Sequence, residues 1–192
     1  VTGSGRGIGR AIARRFAAEG AAVLVTSRSA NEIEAVAAEI RAAGGRAAAL
    51  AADVAREDDC ARIVQAAREK FGRIDILVNN AGVVLLDAAE ALPEDLWDRT
   101  MAINLRVPFL LSQLVGREMI KAGGGKIINL ASQAGIVALD RHVAYCASKG
   151  GVRMMSRAVA LATARHAIRC NTIHPGIIES PMLRGAMAIG GD

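Results

Sequence analysis

Short apolar runs alternate with longer amphipathic segments along most of the chain. Runs of strand length lie at Ala22–Thr26, Ala47–Ala52, Ile74–Val78, Lys126–Leu130 and Ile168–Ile173, and Val1–Thr2 is typical of the last residues of another strand. Segments of helical period lie between them, at Ile8–Glu19, Asn31–Ala43, Glu57–Phe71, Glu94–Ile103, Leu105–Ala122 and Val143–Ala164. This order predicts an α/β fold in which a parallel sheet is buried between helices.

Composition adds a size and a class to this picture. The 192 residues are 52% hydrophobic and 3% aromatic, so we expect a single globular domain over residues 1–192. No apolar run reaches about 18 residues, and no basic stretch leads into an apolar one, so we expect neither a membrane span nor a signal peptide. The three cysteines are scattered, which favours a reducing, cytoplasmic location.

The net charge of +5 comes from dispersed arginines. Because no lysine-rich run or interleaved aromatic residues accompany it, we do not expect a nucleic-acid partner, and the charge favours an anionic small ligand instead. His142, His166 and His174 have no metal-ligand spacing, so we expect no metal site.

A glycine-rich turn, Thr2–Gly9, follows the first predicted strand and opens directly into a helix. Ligands of parallel sheets gather at the carboxyl ends of the strands, and glycines let a pyrophosphate approach the amides of a helix N-terminus. A flexible turn is the alternative, but the strand-turn-helix context favours a dinucleotide. The predicted cofactor contacts here are Gly3, Ser4, Arg6, Gly7, Ile8 and Gly9.

Ser27 and Arg28 follow the next strand, where a fold that prefers NAD would usually carry a carboxylate for the ribose hydroxyls. Arg28, together with Arg6, could hold a ribose 2′-phosphate through charge-assisted hydrogen bonds. The alternative is that both arginines are solvated surface charges. We predict that NADP(H) is preferred and that NAD(H) is the second choice.

The remaining strand ends also carry candidate residues. Asp53 and Val54 are predicted to contact the adenine, although Asp53 is equally suited to cap the following helix. Asn80, Ala81 and Gly82 belong to the run Asn79–Gly82, whose small residues admit a cofactor and whose amides can tie neighbouring strands together. Ser132 follows the fifth of these strands. The segment from His174 to Pro181 follows the sixth.

The single tyrosine, Tyr145, precedes Lys149 by four residues and follows Ser132 by thirteen. On a helix, residues four positions apart share a face, so the Lys149 ammonium can favour the phenolate form of Tyr145. We therefore predict that Lys149 lowers the pKa of Tyr145 from its ordinary value near 10.

Taken in order, these motifs resemble the short-chain dehydrogenase/reductase family nearly from end to end. They are the loop at Thr2–Gly9, Asn79–Gly82, Ser132, the Tyr145–Lys149 pair and Pro175-Gly176. The resemblance implies a Rossmann-type, doubly wound sheet and reversible hydride transfer between a nicotinamide and a carbonyl or alcohol carbon. It also implies that the start of a first strand and a C-terminal helix and strand are absent from this sequence.

The resemblance further implies a role for each matching residue. Tyr145 is then the general acid or base, Lys149 tunes it and holds the nicotinamide ribose, and Ser132 hydrogen-bonds the substrate oxygen. Asn104 would support a water relay to the lysine, unless it only marks a kink between two helices. Pro175, Gly176, Ile178 and Ser180 match positions at the nicotinamide.

Some alternatives stay open at this stage. A catalytically silent dinucleotide sensor or scaffold would share the fold, but it would not need the set Ser132, Tyr145 and Lys149. Among small-molecule carbonyl or alcohol substrates, a 3-oxoacyl thioester, a steroid, a sugar and a small ketone all suit the fold, with a lean toward a hydrophobic one from the segment Gln133–His142. The family also implies a homodimer or homotetramer that pairs Leu105–Ala122 and Val143–Ala164.

Overall fold

The computed structural model describes residues 1–189 as alternating strands and helices. The strands are β1 (Ala22–Ser27), β2 (Arg46–Ala51), β3 (Ile76–Asn79), β4 (Gly125–Leu130) and β5 (Ile168–Ile173). The helices are α1 (Gly7–Ala18), α2 (Ala30–Ala42), α3 (Glu57–Phe71), α4 (Glu94–Met101), α5 (Val107–Lys121), α6 (Val143–Thr163) and α7 (Pro181–Ile189). A π-helical turn, Ala102–Arg106, and two short 3₁₀ turns, Gln133–Gly135 and Ala164–His166, complete the regular structure of these residues.

All strand pairs are parallel, and Thr2 connects two groups of strands. β1 pairs with β2, and β4 lies between β3 and β5. Thr2 forms a parallel bridge with Thr26 on β1 and donates its backbone N–H to the Val78 oxygen on β3, over 3.0 Å. The resulting order is β2-β1-Thr2-β3-β4-β5. The turn after Thr2 therefore lies at the same edge as the carboxyl ends of β3, β4 and β5.

Helices cover both faces of the sheet, as the Rossmann-type prediction requires. On one side of β1, Val25 packs with Ile33 and Val36 of α2, and on the other side Leu24 packs with Ile63 of α3. Around β4 and β5, α5 supplies Leu111, Val115 and Met119, all of which are buried with Ile127 and Ile168. The strands are apolar because both of their faces are buried.

A buried amide contact ties two neighbouring strands, as the run Asn79–Gly82 predicts. The Asn79 side chain on β3 donates to Oδ1 of Asn129 on β4 over 2.8 Å, and Asn129 in turn donates to Ser156 Oγ of α6 over 2.8 Å. This chain of hydrogen bonds holds α6 against the centre of the sheet.

Strand β3 begins at Ile76 and not at Ile74 as predicted, and the predicted strand end Val1–Thr2 contributes a single bridge. Two larger features also differ from the sequence prediction. The helices predicted at Glu94–Ile103 and Leu105–Ala122 do not separate at Asn104, because the π-helical turn joins α4 to α5. Helix α7 was not predicted, although Ser180-Pro181 is a helix-start signal and the Ser180 hydroxyl accepts the Leu183 N–H over 3.2 Å. Within residues 1–189, none of the helices combines the length and apolar character needed to cross a bilayer.

Candidate functional site

A cleft of about 290 Å³ lies at the carboxyl edge of the sheet. Its walls come from the turn after Thr2, the segment after β3, the end of β4, the first turns of α6 and residues 175–183. The predicted site residues that line it are Gly3, Arg6, Gly7, Ile8, Gly9, Asn80, Ala81, Gly82, Ser132, Tyr145, Lys149, Pro175, Gly176, Ile178 and Ser180. A wider surface groove of about 970 Å³, between α3 and α5, contains none of the predicted residues.

Five predicted residues do not line the cleft, namely Ser4, Arg28, Asp53, Val54 and Asn104. Val54 packs against the hydrophobic cores beside α3. Asp53 accepts the Ala55 N–H over 3.1 Å in the turn before α3, while Arg56 is the residue that precedes the helix. Asp53 therefore orders the turn and does not cap α3 itself.

Hydrogen bonds from Thr2, Ser4 and Asn80 fix the shape of the glycine turn. Ser4 is fully buried, and its hydroxyl donates to the Val1 oxygen and accepts the Thr26 N–H, each over 2.8 Å. The Thr2 hydroxyl accepts the N–H groups of Asn80 and Ala81 over 3.0 Å each. The Ser4 side chain thus anchors the turn on the side away from the cleft, and Ser4 itself does not line the cleft.

The start of α1 fits a bound pyrophosphate. A Cβ atom at Gly9 would lie 2.2 Å from the Gly3 oxygen and 2.5 Å from Asn80 Nδ2, so only glycine lets the helix approach the turn this closely. Gly7 has a φ of +55°, and no side chain caps the helix at Arg6. The first amides of α1 consequently face the cleft, where a helix N-terminus binds phosphate groups.

An acidic residue lies beside this turn that the sequence analysis missed. Glu32, in the first turn of α2, has its carboxylate 3.9 Å from the Arg6 guanidinium, and a Cβ atom at Gly5 would lie 3.0 Å from Glu32 Oε2. Ser27 Oγ, at the end of β1, is buried and has no hydrogen-bond partner among residues 1–189. Arg28 is exposed. A carboxylate is therefore present near the glycine turn, although none follows β1 directly.

Helix α6 places Tyr145 and Lys149 on one side, as their spacing predicts. Lys149 is 5% exposed, and its ammonium donates to the Leu130 oxygen at the end of β4 over 2.7 Å. The Lys149 Nζ atom lies 5.7 Å from the centre of the Tyr145 ring. Burial lowers the pKa of Lys149 to about 8, because removal from water disfavours the charged form.

The predicted lowering of the Tyr145 pKa by Lys149 is wrong for the protein alone. Burial raises the pKa of Tyr145, and the Ser132 side chain opposes this effect only in part. The Lys149 ammonium donates to the Leu130 oxygen, and it is not among the groups that shift the pKa of Tyr145. The phenol therefore keeps its proton at neutral pH.

Ser132 is held by a histidine whose role the sequence did not reveal. The Ser132 hydroxyl accepts the Ala134 N–H over 3.1 Å, and its carbonyl oxygen bonds to His174 Nδ1 over 2.9 Å. A carbonyl can only accept, so Nδ1 carries the proton and Nε2 accepts from the Thr172 hydroxyl, 3.0 Å away. His174 thus fixes the backbone at the end of β4.

Asn104 acts behind the cleft, from the π-helical turn. Its Oδ1 accepts the Val83 N–H over 2.8 Å, and its Nδ2 donates to the Val83 oxygen over 2.9 Å and to Ser148 Oγ over 3.2 Å. This side chain clamps the segment after β3 to α6. Gly82 lies between the Asn104 amide and the Lys149 ammonium, since a Cβ atom there would be 3.1 Å from Asn104 Oδ1 and 3.6 Å from Lys149 Nζ.

Comparisons with known proteins agree on one family. The sequence profile of the family described as short chain dehydrogenase matches residues 1–188. The chain is 43% identical over 188 residues to an NAD-dependent glycerol dehydrogenase of Listeria innocua, covering 98% of this chain and 73% of the relative. It is 47% identical over 178 residues to a D-threitol dehydrogenase of Mycolicibacterium smegmatis, covering 93% of this chain and 68% of the relative.

A solved structure supports the fold independently. The protein superposes with a TM-score of 0.92 and 34% identity on a Beutenbergia cavernae structure assigned as an NAD(P)-dependent gluconate 5-dehydrogenase, with NADP bound at low occupancy. The match covers 98% of this chain and 75% of that one. The Rossmann-type prediction is confirmed by this likeness and by the parallel sheet with helices on both faces.

Proposed function

The chain belongs to the short-chain dehydrogenase family of oxidoreductases, and from this premise we propose that it interconverts a ketone and a secondary alcohol using a nicotinamide dinucleotide. The observation that carries the proposal is the convergence of Ser132, Tyr145 and Lys149 on the cleft that also contains the glycine turn. A silent sensor or scaffold would only need to bind the dinucleotide. It would not need a proton donor, a buried amine and a hydroxyl together at one end of the cleft.

Different residues of the cleft would hold different parts of the cofactor. The amides at the start of α1 would receive the pyrophosphate, and Lys149 with the segment from Pro175 to Ser180 would hold the nicotinamide end. The bound cofactor supplies or accepts the hydride. Residues that line the cleft support both of these placements, and of the two arginines predicted at a 2′-phosphate Arg6 lines the cleft whereas Arg28 does not.

Tyr145 would handle the proton at the substrate oxygen. Because burial raises its pKa, the phenol is protonated at neutral pH and is suited to donate a proton to a ketone oxygen. Ser132 would hydrogen-bond the same oxygen as negative charge develops on it. With a pKa of about 8, Lys149 can lose or regain a proton near neutral pH and so restore the tyrosine proton.

The cofactor preference is a separate part of the proposal. We propose that NADP(H) is preferred, because Arg6 lines the cleft and Arg28 is exposed at the adjoining end of β1. Glu32 acts in the opposite sense, since a carboxylate repels a 2′-phosphate. The NAD-dependent glycerol dehydrogenase and the NADP-containing structure show that relatives of both types exist, so NAD(H) is the second choice.

The names of the relatives bear on the substrate. Glycerol and threitol are small polyols, which supports a small alcohol as substrate more than a steroid or a 3-oxoacyl thioester.

For assembly, we propose a homodimer or homotetramer through α5 and α6. Large apolar side chains on these helices support it, since Phe109, Met154 and Leu161 are 48%, 61% and 83% exposed.

Substitution of Tyr145 by phenylalanine tests the function. The variant keeps the ring but loses the proton donor, so we expect kcat to fall by about 10²- to 10⁴-fold with small alcohols and ketones. Binding of NADPH, followed by fluorescence titration, should remain within about twofold because the cofactor's phosphate contacts are untouched. Undiminished turnover by the variant would refute the proposal, and matched thermal unfolding of both proteins is the control.

A further inference from the structure

Two polar side chains flank the Ser132–Tyr145 pair without a role in the proposed chemistry. Gln133 follows Ser132 directly and lines the cleft, with Oε1 3.4 Å from the position of a Cβ atom at Gly176. His142 also lines the cleft, and its ring packs edge-on against the Tyr145 ring with the centres 6.0 Å apart. Most of the other side chains in this part of the cleft wall are apolar, among them Leu139 and Met182.

The tautomer of His142 follows from its hydrogen bond. Its Nδ1 contacts the backbone oxygen of Asp140 over 2.5 Å. Because a carbonyl only accepts, Nδ1 carries the proton, and in the neutral ring Nε2 presents a lone pair. Within the part of the chain that the structure describes, Nε2 has no hydrogen-bond partner. Because His142 lines the cleft, Nε2 is the acceptor that this ring would offer to a bound ligand.

The backbone holds this ring in place. Arg141, directly before His142, has a φ of +58°, a left-handed conformation that is uncommon for residues other than glycine. The Arg141 carbonyl accepts the Asp87 N–H over 3.2 Å, and the His142 carbonyl accepts the Cys146 N–H over 2.7 Å. Left-handed residues of this kind persist only where surrounding contacts impose them. The position of His142 is thus determined by contacts on both sides.

We propose that the substrate carries a second hydroxyl group on the carbon next to the reacting one, and that His142 and Gln133 recognise it. The inference rests on the proposed function. The centres of the His142 and Tyr145 rings lie 6.0 Å apart, so groups bonded to the two side chains are close together on a small molecule, and a hydroxyl on the carbon next to the reacting one fits this spacing. The preferred substrates are then vicinal diols and the corresponding α-hydroxyketones. His142 accepts the proton of the second hydroxyl, and the Gln133 amide can donate to its oxygen.

A matched pair of ketones tests this inference. Acetoin and 2-butanone share a four-carbon skeleton and differ by the one hydroxyl. We expect the wild-type protein to reduce acetoin with a kcat/KM at least about tenfold higher, because a site built to bond a hydroxyl discriminates against the analogue that lacks it. His142→Phe should abolish most of this preference by lowering the value for acetoin, while the value for 2-butanone stays within about twofold.

Further variants separate recognition from structure. His142→Gln retains an acceptor and should recover part of the preference for acetoin. Gln133→Leu should reduce this preference without any change at His142. An equal loss with both ketones in His142→Phe, or a wild-type protein that does not distinguish them, would overturn the inference while leaving the proposed function intact. Turnover of neither ketone nor the corresponding alcohols, with NADPH or NADH and their oxidised forms, would overturn both.

Discussion

Replacing Lys149 by methionine should change how the stability of the protein depends on pH. Burial lowers the pKa of the folded-state ammonium from 10.5 to about 8. The unfolded chain therefore binds this proton more tightly, and the free energy of unfolding rises with pH between these two values. Below pH 8 the destabilisation is fully present, and above about 10.5 it has vanished.

The size of the effect follows from the same two values. A lowering from 10.5 to about 8 corresponds to about 3 kcal/mol. Between about pH 7 and 9.5, roughly 2 kcal/mol of this should be recovered as the folded protein loses the proton. Methionine removes the charge while keeping an unbranched side chain of similar length, so the variant lacks this contribution.

Urea unfolding of both proteins across this pH range measures the difference directly. Ionisable groups distant from position 149 are common to both chains, so their contributions cancel when one free energy is subtracted from the other. Tyr145 is a neighbour of Lys149, but burial raises its pKa from 10, so it keeps its proton over most of this range. We expect wild type minus Lys149→Met to rise by about 2 kcal/mol. Lys126→Met, which removes an exposed ammonium, is the matched control and should show no such rise. A flat difference for Lys149→Met would mean that its pKa is not lowered, and would refute the reasoning.

The remaining predictions concern the cofactor. Arg28→Asp should lower kcat/KM with NADP⁺ relative to NAD⁺ by about 10- to 100-fold, since a charge-assisted contact is replaced by a repulsive one. Arg46→Asp is the control, because Arg46 is the first residue of β2 and so lies at the edge of the sheet away from the cleft. An unchanged ratio in Arg28→Asp would contradict the prediction. Gly9→Ala should lower Tm and weaken NADPH binding, because its Cβ would lie 2.2 Å from the Gly3 oxygen. Gly116→Ala, with no atom within 4 Å of the added Cβ, is the control, and equal behaviour of the two in thermal unfolding would contradict the close packing.

The sequence predicted the elements well where local and tertiary preferences agree. The bounds of α3 and β5 match the prediction at both ends, since one is strongly amphipathic and the other is bounded by turns. The break predicted at Asn104 failed because an asparagine in a helix indicates an end on local grounds, whereas its amide is bonded to Val83, far along the chain. Helix α7 has a local start signal at Ser180-Pro181, so its existence was predictable from sequence.

The candidate site divides along the same line. Tyr145 and Lys149 were predictable because the helical period alone puts them on one side of α6. Glu32 and His174 were not, because each acts on a residue more than 20 positions away, through contacts that only the folded chain creates. The direction in which the Tyr145 pKa shifts was not predictable either, since it depends on burial in the folded chain, which outweighs the hydrogen bond to Ser132.

The contacts of Thr2 have a consequence for how the two ends of the cleft respond to a ligand. One hydroxyl accepts N–H groups from Asn80 and Ala81, while the backbone of the same residue joins β1 to β3. The turn that would receive the pyrophosphate and the segment leading toward Lys149 are therefore parts of one rigid unit before any ligand arrives. Such preorganisation reduces the conformational entropy lost on binding, so dinucleotide affinity should depend little on ordering of this part of the protein.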